Sequence, residues 1–542
     1  MPTVQSEPSV LTDRYRNKGT AFTSDERDRL GLHGLLPATI ETLDLQLERV
    51  LHQYDALTNE LDRYDFLRSL QELNSVLFYA FLQSDLEKYL PVIYTPTVGA
   101  ACSRWSDRHG IHHGLYLSWP NRNRIEQILE ATTQGRPIDL IVATNGERVL
   151  GLGDLGAGGM GISIGKLAIY SAVGGVNPAT TLPVQLDAGT DNEDLLANPL
   201  YLGWRHRRVR GEQFDELVDN FVTALRKFYP HAVLQWEDFA TADAERLLQR
   251  HRHSVSSFND DIQGTATVTT AAILRGLRAS KTPIAELRAV IVGAGSAGCG
   301  IANTIIDVLC AEGLTTEEAK QRCWLVDRDG LVHDGLSNLT AAQKPLARSQ
   351  SEAQSIANGG SQSLAAVVNH ARPHALVGVC AQPKIFSKEV VLAQARHIER
   401  PIVLPLSNPN SRAEAVPADV LNWTDGRALI GTGSPTPDIT IRETTYKISQ
   451  VNNVYAFPGI GLGAIAAGAP TISKEAFLAA TDAIARFGTD HNVLLPPIAR
   501  APEVCRAVAH AVSNTIDKSL LNSRHLATPI SDLVWEPKYR PA

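Results

Sequence analysis

Residues 288–313 read RAVIVGAGSAGCGIANTIIDVLCAEG, and this stretch decides the expected fold. An apolar run rich in β-branched residues leads into the GAGSAG glycine pattern, and a long segment with helical spacing follows. A strand that turns tightly into a helix places the helix N-terminal amides where a pyrophosphate binds. The stretch therefore predicts a Rossmann-type dinucleotide-binding domain. The expected cofactor-loop residues are Gly293, Gly295, Ser296, Ala297 and Gly298.

A second segment, GLGDLG at 151–156, satisfies the same glycine pattern. It continues into further glycines, AGGMG at 157–161, and we expect no helix directly after it. Because phosphate binding depends on the strand and helix around the glycines, the pattern by itself is weak evidence. We therefore do not expect residues 151–156 to bind the cofactor.

The next apolar run, CWLVD at 323–327, ends in Asp327. An acidic residue at this place can accept hydrogen bonds from the adenosine ribose, and it repels the 2′-phosphate of NADP. Asp327 lies farther along the chain than the roughly twenty residues of the general pattern, and the longer helix and loop before it account for this. The alternative is an acidic residue that merely ends a strand. We expect Asp327 to bind NAD.

Short apolar runs separated by glycine-rich turns and amphipathic segments continue from about residue 110, which is typical of parallel sheets with crossover helices. Most of the runs are too apolar to alternate, so both faces of the sheet should be covered. Before residue 91, apolar residues recur at helical spacing instead. The expected strands are 138–144, 232–236, 288–293, 323–327, 375–380 and 401–408.

The composition excludes several classes of protein. The chain has 542 residues, of which 44% are hydrophobic and 20% charged, and its net charge is −7. No apolar run is long enough to span a membrane, and the charge disfavours nucleic acid. The basic runs at 205–210 and 250–253 are interpreted as solvated loops or interface residues. Six scattered cysteines without close pairing indicate free thiols, and we expect a cytoplasmic protein.

Two pairs of acidic residues stand beside apolar residues. Glu237 and Asp238 follow the run at 232–236, and Asp260 and Asp261 precede a segment rich in alanine and threonine. Adjacent buried carboxylates are expensive to desolvate unless they share a cation. Oxygen ligands suit Mg²⁺ or Mn²⁺, although each pair alone could be a solvated turn or a helix cap.

Taken together, the motifs resemble those of the malic enzymes along nearly the whole chain. The similar segments are NKGTAF (17–22), YTPTVG (94–99), GERVLGLGDLGAGGMGISIGKL (146–167), WEDFA (236–240), FNDDIQGTA (258–266), GAGSAG (293–298), LSNP (406–409) and NNVYAFPGIGLG (452–463). The resemblance implies oxidative decarboxylation of L-malate to pyruvate and CO₂, with NAD or NADP and with Mg²⁺ or Mn²⁺; NAD is the expected cofactor and NADP the alternative. It also suggests a homodimer or homotetramer.

The resemblance implies a role for each matching residue. Tyr94 matches the general acid and Lys166 the general base of the family. Glu237, Asp238 and Asp261 match the metal ligands, and Asp260 matches an acid that positions the catalytic groups. Arg148 matches an arginine that contacts substrate and cofactor, and a guanidinium suits a carboxylate. Asn408 matches an asparagine that binds substrate and nicotinamide, and Asn453 matches one that binds substrate.

The expected fold is α/β, with a doubly wound NAD-binding domain, an α/β substrate and metal domain, and a helical N-terminal region. The boundaries are drawn at 1–110 for the helical region, 111–260 for the substrate and metal domain, 261–450 for the NAD-binding domain and 451–542 for a C-terminal segment that returns to the substrate domain. 

Several residues depart from the usual family pattern. Asn145 replaces an aspartate and Asn410 a threonine, and neither change removes a catalytic group. Gln343 stands where NADP-using relatives often carry a lysine, which favours NAD, although the nearby Arg328, Lys344 and Arg348 leave NADP open as the alternative. The alternatives are a malolactic enzyme, which would form lactate from malate while holding NAD, and a catalytically silent protein that senses NAD or a dicarboxylate.

Overall fold

The computed structural model describes residues 9–108, 113–149, 151–357, 362–488, 492–516 and 528–541. The chain forms two compact units. Unit 1 comprises Met1–Ala232 and Ser531–Ala542, and unit 2 comprises Val233–Ile530.

Unit 1 begins with a series of helices, as the apolar spacing predicts. They are α1 (Ser24–Leu30), α2 (Leu43–Asp55), α3 (Glu60–Leu73), α4 (Ser75–Ser84), α5 (Leu86–Ile93) and α6 (Thr97–Ser103). Thr42, Asn59, Asn74 and Asp85 cap the starts of α2 to α5 with side-chain oxygens. Helix α4 is the most buried of these four, because its apolar residues surround the helix rather than following one stripe.

The rest of unit 1 contains a parallel sheet covered by helices. Its strands are β1 (Leu115–Ser118), β2 (Leu140–Thr144) and β3 (Thr181–Asp187), and β3 lies between the other two. The helices are α7 (Ile125–Thr133), α8 (Met160–Ala172), α9 (Glu193–Ala197) and α10 (Glu212–Phe228). Every residue of α8 is buried. The helix that begins at Met160 corrects our expectation that GLGDLG leads into no helix: a short turn, Gly156–Gly159, separates the two.

Unit 2 begins with a parallel pair of strands, β4 (Val233–Glu237) and β5 (Ser257–Asn259). A larger sheet follows. Its strands are β6 (Ala289–Val292), β7 (Cys323–Asp327), β8 (Gly330–Leu331), β9 (Ala375–Gly378), β10 (Ile402–Pro405), β11 (Leu429–Thr432) and β14 (Ser449–Gln450). Strands β12 (Ile439–Ile441) and β13 (Thr444–Tyr446) form a separate hairpin between β11 and β14. The order is β14-β11-β10-β9-β6-β7-β8, and only β8 pairs antiparallel.

The strand order of the larger sheet confirms the predicted doubly wound fold. The chain moves from β6 outward to β7 and then crosses to β9 on the other side of β6. This reversal creates the crevice at the carboxyl ends of β6 and β9 where such sheets bind ligands.

The helices of unit 2 are α11 (Thr241–His251), α12 (Thr265–Ala279), α13 (Ser296–Ala311), α14 (Thr316–Lys320), α15 (Gln350–Ala357), α16 (Leu364–Ala371), α17 (Lys388–Ala395), α18 (Pro417–Trp423), α19 (Phe457–Ala467), α20 (Lys474–Arg486) and α21 (Ala501–Asn514).

A last short helix, α22 (Ile530–Leu533), leads into the C-terminal tail, which packs on unit 1. The Trp535 N–H donates to Gly175 O at 2.7 Å, and its ring meets Tyr79 edge-on with centroids 5.3 Å apart. All six cysteines are free. Across the described ranges, none of the helices combines the length and the apolar character that a membrane crossing requires.

A buried carboxylate joins the loops that follow β9 and β10. Glu414 is fully buried, and it accepts hydrogen bonds from the backbone N–H groups of Cys380 at 2.9 Å, Ala381 at 3.1 Å and Ser407 at 3.2 Å. The Ser407 hydroxyl donates to the same carboxylate. Both loops border the crevice at the carboxyl ends of the strands, so Glu414 supports its rim.

We expect Glu414→Ala to lower the free energy of unfolding of unit 2 by about 2–4 kcal/mol, because each buried donor left without a partner costs about 1–3 kcal/mol. Glu414→Gln should lower the free energy of unfolding by less, since its amide oxygen still accepts hydrogen bonds. Urea unfolding measures the difference, with the exposed Glu399→Ala as the control. A midpoint for Glu414→Ala equal to that of the control would contradict the supporting role of this carboxylate.

Candidate active site

Three acidic side chains of unit 2 form a cluster suited to a metal ion. Glu237 is the last residue of β4, Asp238 follows it, and Asp261 lies in a wide helical turn, Asp260–Gly264, between β5 and α12. One carboxylate oxygen from each of the three lies within 4.8 Å of the others. Glu237 and Asp238 are buried and Asp261 is partly buried. Three oxygen donors at this spacing fit Mg²⁺ or Mn²⁺, which leave further positions for water or substrate.

Two hydrogen bonds orient these carboxylates. The Asp238 N–H donates to Asp261 Oδ2 at 2.8 Å, and the backbone of Asp238 takes a positive φ of 57°. This left-handed conformation is unfavourable for most side chains and is found where surrounding structure enforces it. Gln235, fully buried two residues before Glu237 on the same strand face, donates its Nε2–H to Glu237 Oε2 at 2.7 Å. Sequence reasoning missed Gln235, although its alternation with Glu237 along β4 is visible in the sequence.

Asp260 is fully buried beside this cluster and is held by Asn453. The Asn453 Nδ2–H group donates to Asp260 Oδ2 at 2.9 Å, and Nδ2 also lies 3.0 Å from Thr265 Oγ1. A Cβ added at Gly264 would overlap Asp260 Oδ1, so this turn has room for the carboxylate only because residue 264 is glycine. The structure thus brings Asp260, Asp261 and Asn453 together, and it adds Thr265 to the residues expected from the sequence.

In unit 1 the structure brings Lys166 and Tyr94 together. Lys166 is 2% exposed, and its Nζ lies 5.5 Å from the centroid of the Tyr94 ring. Tyr94 directly follows α5, and its N–H donates to Leu90 O at 2.9 Å. A Cβ added at Gly165 would lie 3.0 Å from Ile93 O, so the helix that carries Lys166 approaches the main chain beside Tyr94 closely. An amine and a phenol at this separation can serve as a base and an acid.

Arg148 lies on a separate loop of unit 1 and is exposed. The loop closes on itself through backbone hydrogen bonds between Val149 and Gly153, and through the Leu155 N–H, which donates to Gly146 O at 2.9 Å. A guanidinium is a suitable group to bind a carboxylate or a phosphate.

The cofactor loop of unit 2 has the geometry that the glycine pattern predicts. Gly293 follows β6 with a φ of 110°, and a Cβ there would lie 2.7 Å from Val379 O. A Cβ at Gly298 would overlap Gly293 O, whereas Gly295 borders open space. Ser296 and Ala297 open α13, which is 16 residues long, and both are partly exposed. The loop therefore exposes backbone amides at a helix N-terminus, as a pyrophosphate requires.

Asp327 is exposed at the end of β7, next to Gln343. Gln343 Nε2 lies 3.0 Å from Ala294 O, to which it donates, and 3.5 Å from Asp327 Oδ2. The pair presents a carboxylate and a neutral amide, which suits ribose hydroxyls better than a phosphate.

Asn408 follows β10, and its Oδ1 accepts a hydrogen bond from the Ser434 hydroxyl. Sequence reasoning gave no indication of Ser434, because the two residues meet only through the fold. Asn410, at one of the unusual positions, donates to Pro435 O at 3.3 Å and so supports the same neighbouring segment.

Comparison with known proteins gives a consistent result over the whole chain. The family described as "Malic enzyme, N-terminal domain" matches residues 71–252, and "Malic enzyme, NAD binding domain" matches residues 262–516. The NAD-dependent malic enzyme of Sodalis glossinidius is 46% identical and that of Shewanella sediminis 44%, each over 98% of this chain and 96% of the relative.

Two solved structures show the same fold at lower identity. The malic enzyme of Entamoeba histolytica has a TM-score of 0.56 at 21% identity, over 94% of this chain and 90% of the other. The NAD-dependent malic enzyme of Thermotoga maritima has a TM-score of 0.52 at 22% identity, over 79% of this chain and 92% of the other.

We expect Gln235→Leu to weaken Mn²⁺ binding by about tenfold or more, because residues that orient metal ligands typically contribute 10–100-fold to affinity. The substitution keeps the side-chain volume and removes the donor to Glu237. Titration calorimetry with Mn²⁺ measures the change, and Gln249→Leu, an exposed position on α11, is the matched control. Equal dissociation constants for the two variants would show that Gln235 does not orient the ligand.

Proposed function

The chain belongs to the malic enzyme family, and on that premise we propose that it catalyses the oxidative decarboxylation of L-malate to pyruvate and CO₂ with reduction of NAD. The main support from the structure is the cluster of Glu237, Asp238 and Asp261. It lies in the same unit as a glycine loop with dinucleotide-binding geometry.

The proposed metal ligands are Glu237, Asp238 and Asp261. A divalent cation held by them supplies Lewis-acid polarisation of the substrate's oxygen atoms. Asp260, fixed by Asn453, adds a buried carboxylate next to the ligands and keeps the turn that carries Asp261 in place. The proposed substrate contacts are Arg148, whose guanidinium pairs with a malate carboxylate, and the side-chain amides of Asn408 and Asn453.

The proposed proton transfers use Lys166 and Tyr94. Lys166 accepts the proton of the C2 hydroxyl while the C2 hydrogen leaves as hydride to NAD, which yields a ketone. The bond from C3 to its carboxylate then breaks, CO₂ departs, and the electron pair forms the enolate of pyruvate. Tyr94 protonates C3 and completes pyruvate. The positions of Lys166 in a buried helix and of Tyr94 beside it suit groups that exchange protons with substrate rather than with bulk water.

NAD is the proposed cofactor, bound by the 293–298 loop, Asp327, Asn408 and Arg148. The neutral Gln343 beside Asp327 provides no cation for a 2′-phosphate.

We also propose that the protein is cytoplasmic and assembles as a homodimer or homotetramer. Six free cysteines suit a reducing compartment. Leu45 and Leu73, on α2 and α3, are 50% and 61% exposed, and apolar residues in such positions suit an interface. The proposed domains are the helical region 1–110, the substrate and metal domain 111–260, the NAD-binding domain 261–450 and the C-terminal segment 451–542.

Purified protein with Mn²⁺ and NAD should form NADH and pyruvate in equal amounts from L-malate. Lys166→Ala should lower kcat by about 10²–10⁴-fold, the usual contribution of an acid–base group. Asp261→Ala should also lower activity strongly, because it removes a proposed metal ligand. Lys227→Ala, an exposed position on α10, is the control and should retain full activity. Lactate in place of pyruvate, without NADH, would identify a malolactic enzyme, and full activity of Lys166→Ala would contradict its role as the base.

Gln343→Lys should raise the ratio of kcat/KM for NADP over NAD by about tenfold or more, because a charged hydrogen bond to the 2′-phosphate contributes roughly 1.5–3 kcal/mol. Parallel assays with the two cofactors at equal concentrations give the ratio. Gln321→Lys makes the same change at the opposite end of β7 and serves as the control. An unchanged ratio would show that residue 343 does not face the adenosine ribose.

A further inference from the structure

Two sequence features have no part in the function proposed above, and they meet in unit 1. One is Asp154, in the glycine segment 151–156 that does not form the cofactor loop. The other is the basic run 205–210, for which solvent exposure or an interface is expected from composition. That expectation is wrong for Arg208, whose side chain is only 1% exposed.

Arg208 contacts both ends of the loop that carries Arg148. Its Nε–H donates to Asp154 Oδ2 at 2.7 Å and its Nη2–H to Asp154 Oδ1 at 2.6 Å, which makes a two-pronged ion pair at the C-terminal end of the loop. The same Nη2 donates to Asn145 O at 3.2 Å, at the N-terminal end. One planar guanidinium thus joins the two ends, and the loop's own backbone hydrogen bonds close the part between them.

Further hydrogen bonds keep Asp154 in place. Asp154 Oδ1 accepts the Gly156 N–H and Oδ2 accepts the Asp191 N–H, both at 2.9 Å. Burial alone would raise the pKa of Asp154, but the hydrogen bonds and charge of Arg208, with the two backbone donors, lower it below its ordinary value. Asp154 is therefore a carboxylate in the native protein, with partners for both of its oxygens.

A second arginine of the basic run reinforces the loop next to Arg148. Arg210 pairs with Glu147 at 2.8 Å and with Asp191 at 2.6 Å. Asn145 donates from its side chain to Glu147 Oε2 at 3.1 Å, and its Oδ1 accepts the Glu147 N–H at 3.1 Å. The unusual asparagine at position 145 suits this arrangement, because an aspartate there would place a second negative charge against Glu147.

We propose that Arg208 is a positioning residue that acts through Arg148: by joining Asp154 to Asn145 it fixes both ends of the loop and so the direction of the Arg148 guanidinium toward its ligand. Buried ion pairs add little to stability compared with apolar packing, and they are often retained because they specify one conformation. The proposal rests on the proposed function only in taking malate and NAD as the ligands of Arg148.

The first experiment tests whether Arg208 holds the two ends of the loop together, and it needs no assay of activity. Hydrogen–deuterium exchange of the loop amides, including those of Val149, Gly153 and Leu155, is compared in wild type, Arg208→Lys and Asp154→Asn. Loss of the two-pronged contact should speed exchange in residues 145–156 by about tenfold or more, since local opening reports local stability. Arg207→Ala is the matched control, because its side chain is exposed and pairs with Glu193 on the surface.

The second experiment asks whether the effect passes through Arg148. Arg208→Lys should raise KM for malate by about tenfold with a smaller change in kcat, because a misdirected binding group weakens substrate orientation. In an Arg148→Ala background the same substitution should change kcat/KM by less than about twofold, since the group it positions is gone.

The outcomes distinguish a failure of the positioning role of Arg208 from a failure of the proposed function. Unchanged loop exchange in both variants would overturn the positioning role, whatever the protein catalyses. Faster loop exchange in a protein that does not turn over malate would count against the proposed function and would still support the positioning role of Arg208. Independent, multiplying effects of Arg208→Lys and Arg148→Ala on kcat/KM would show that Arg208 acts on turnover by another route and would also overturn the proposal.

Discussion

Mutual repulsion between three carboxylates is the constraint around which the first part of unit 2 is built. Glu237, Asp238 and Asp261 are held with oxygens within 4.8 Å of one another in a largely buried setting. Without compensation, such a cluster is strongly unfavourable, since each charge loses solvation and repels the others. The protein holds it in place with a left-handed residue at Asp238 and a backbone hydrogen bond to Asp261. Such an arrangement supports the proposed metal site, because a bound divalent cation would relieve the repulsion.

Three carboxylates outside the cluster, two of them buried and one partly buried, are also held by donors from the protein itself. Glu414 accepts three backbone N–H groups, Asp260 accepts the amide of Asn453, and Asp154 accepts a guanidinium together with two backbone donors. In each case at least one partner comes from a segment far away in sequence. These carboxylates therefore connect loops, whereas Glu237, Asp238 and Asp261 bring their oxygens close to one another. The contrast separates structural from ligand-binding acids by what surrounds them.

Much of this arrangement could be predicted from local sequence. The six expected strands coincide with β2, β4, β6, β7, β9 and β10, because strongly apolar runs bounded by turns determine buried parallel strands. The glycine loop before α13 and the two pairs of adjacent acidic residues could also be recognised in the sequence. Strands β1, β3, β5, β8 and β11 to β14 were not predicted, since they are short or carry polar residues or a proline, and their strand conformation depends on neighbouring strands. Likewise Arg208 looks solvated in sequence because its partner, Asp154, lies 54 positions away.

The close approach of Gly165 to the carbonyl of Ile93 has a consequence for how this protein can change over time. The separation of Lys166 from Tyr94 is set where one main chain touches another, with no intervening side chain to vary. A larger residue at position 165 would press on the Ile93 carbonyl and push the helix that carries Lys166 away from the segment that carries Tyr94. The spacing of the two proposed proton-transfer groups therefore constrains a residue that takes no part in the chemistry.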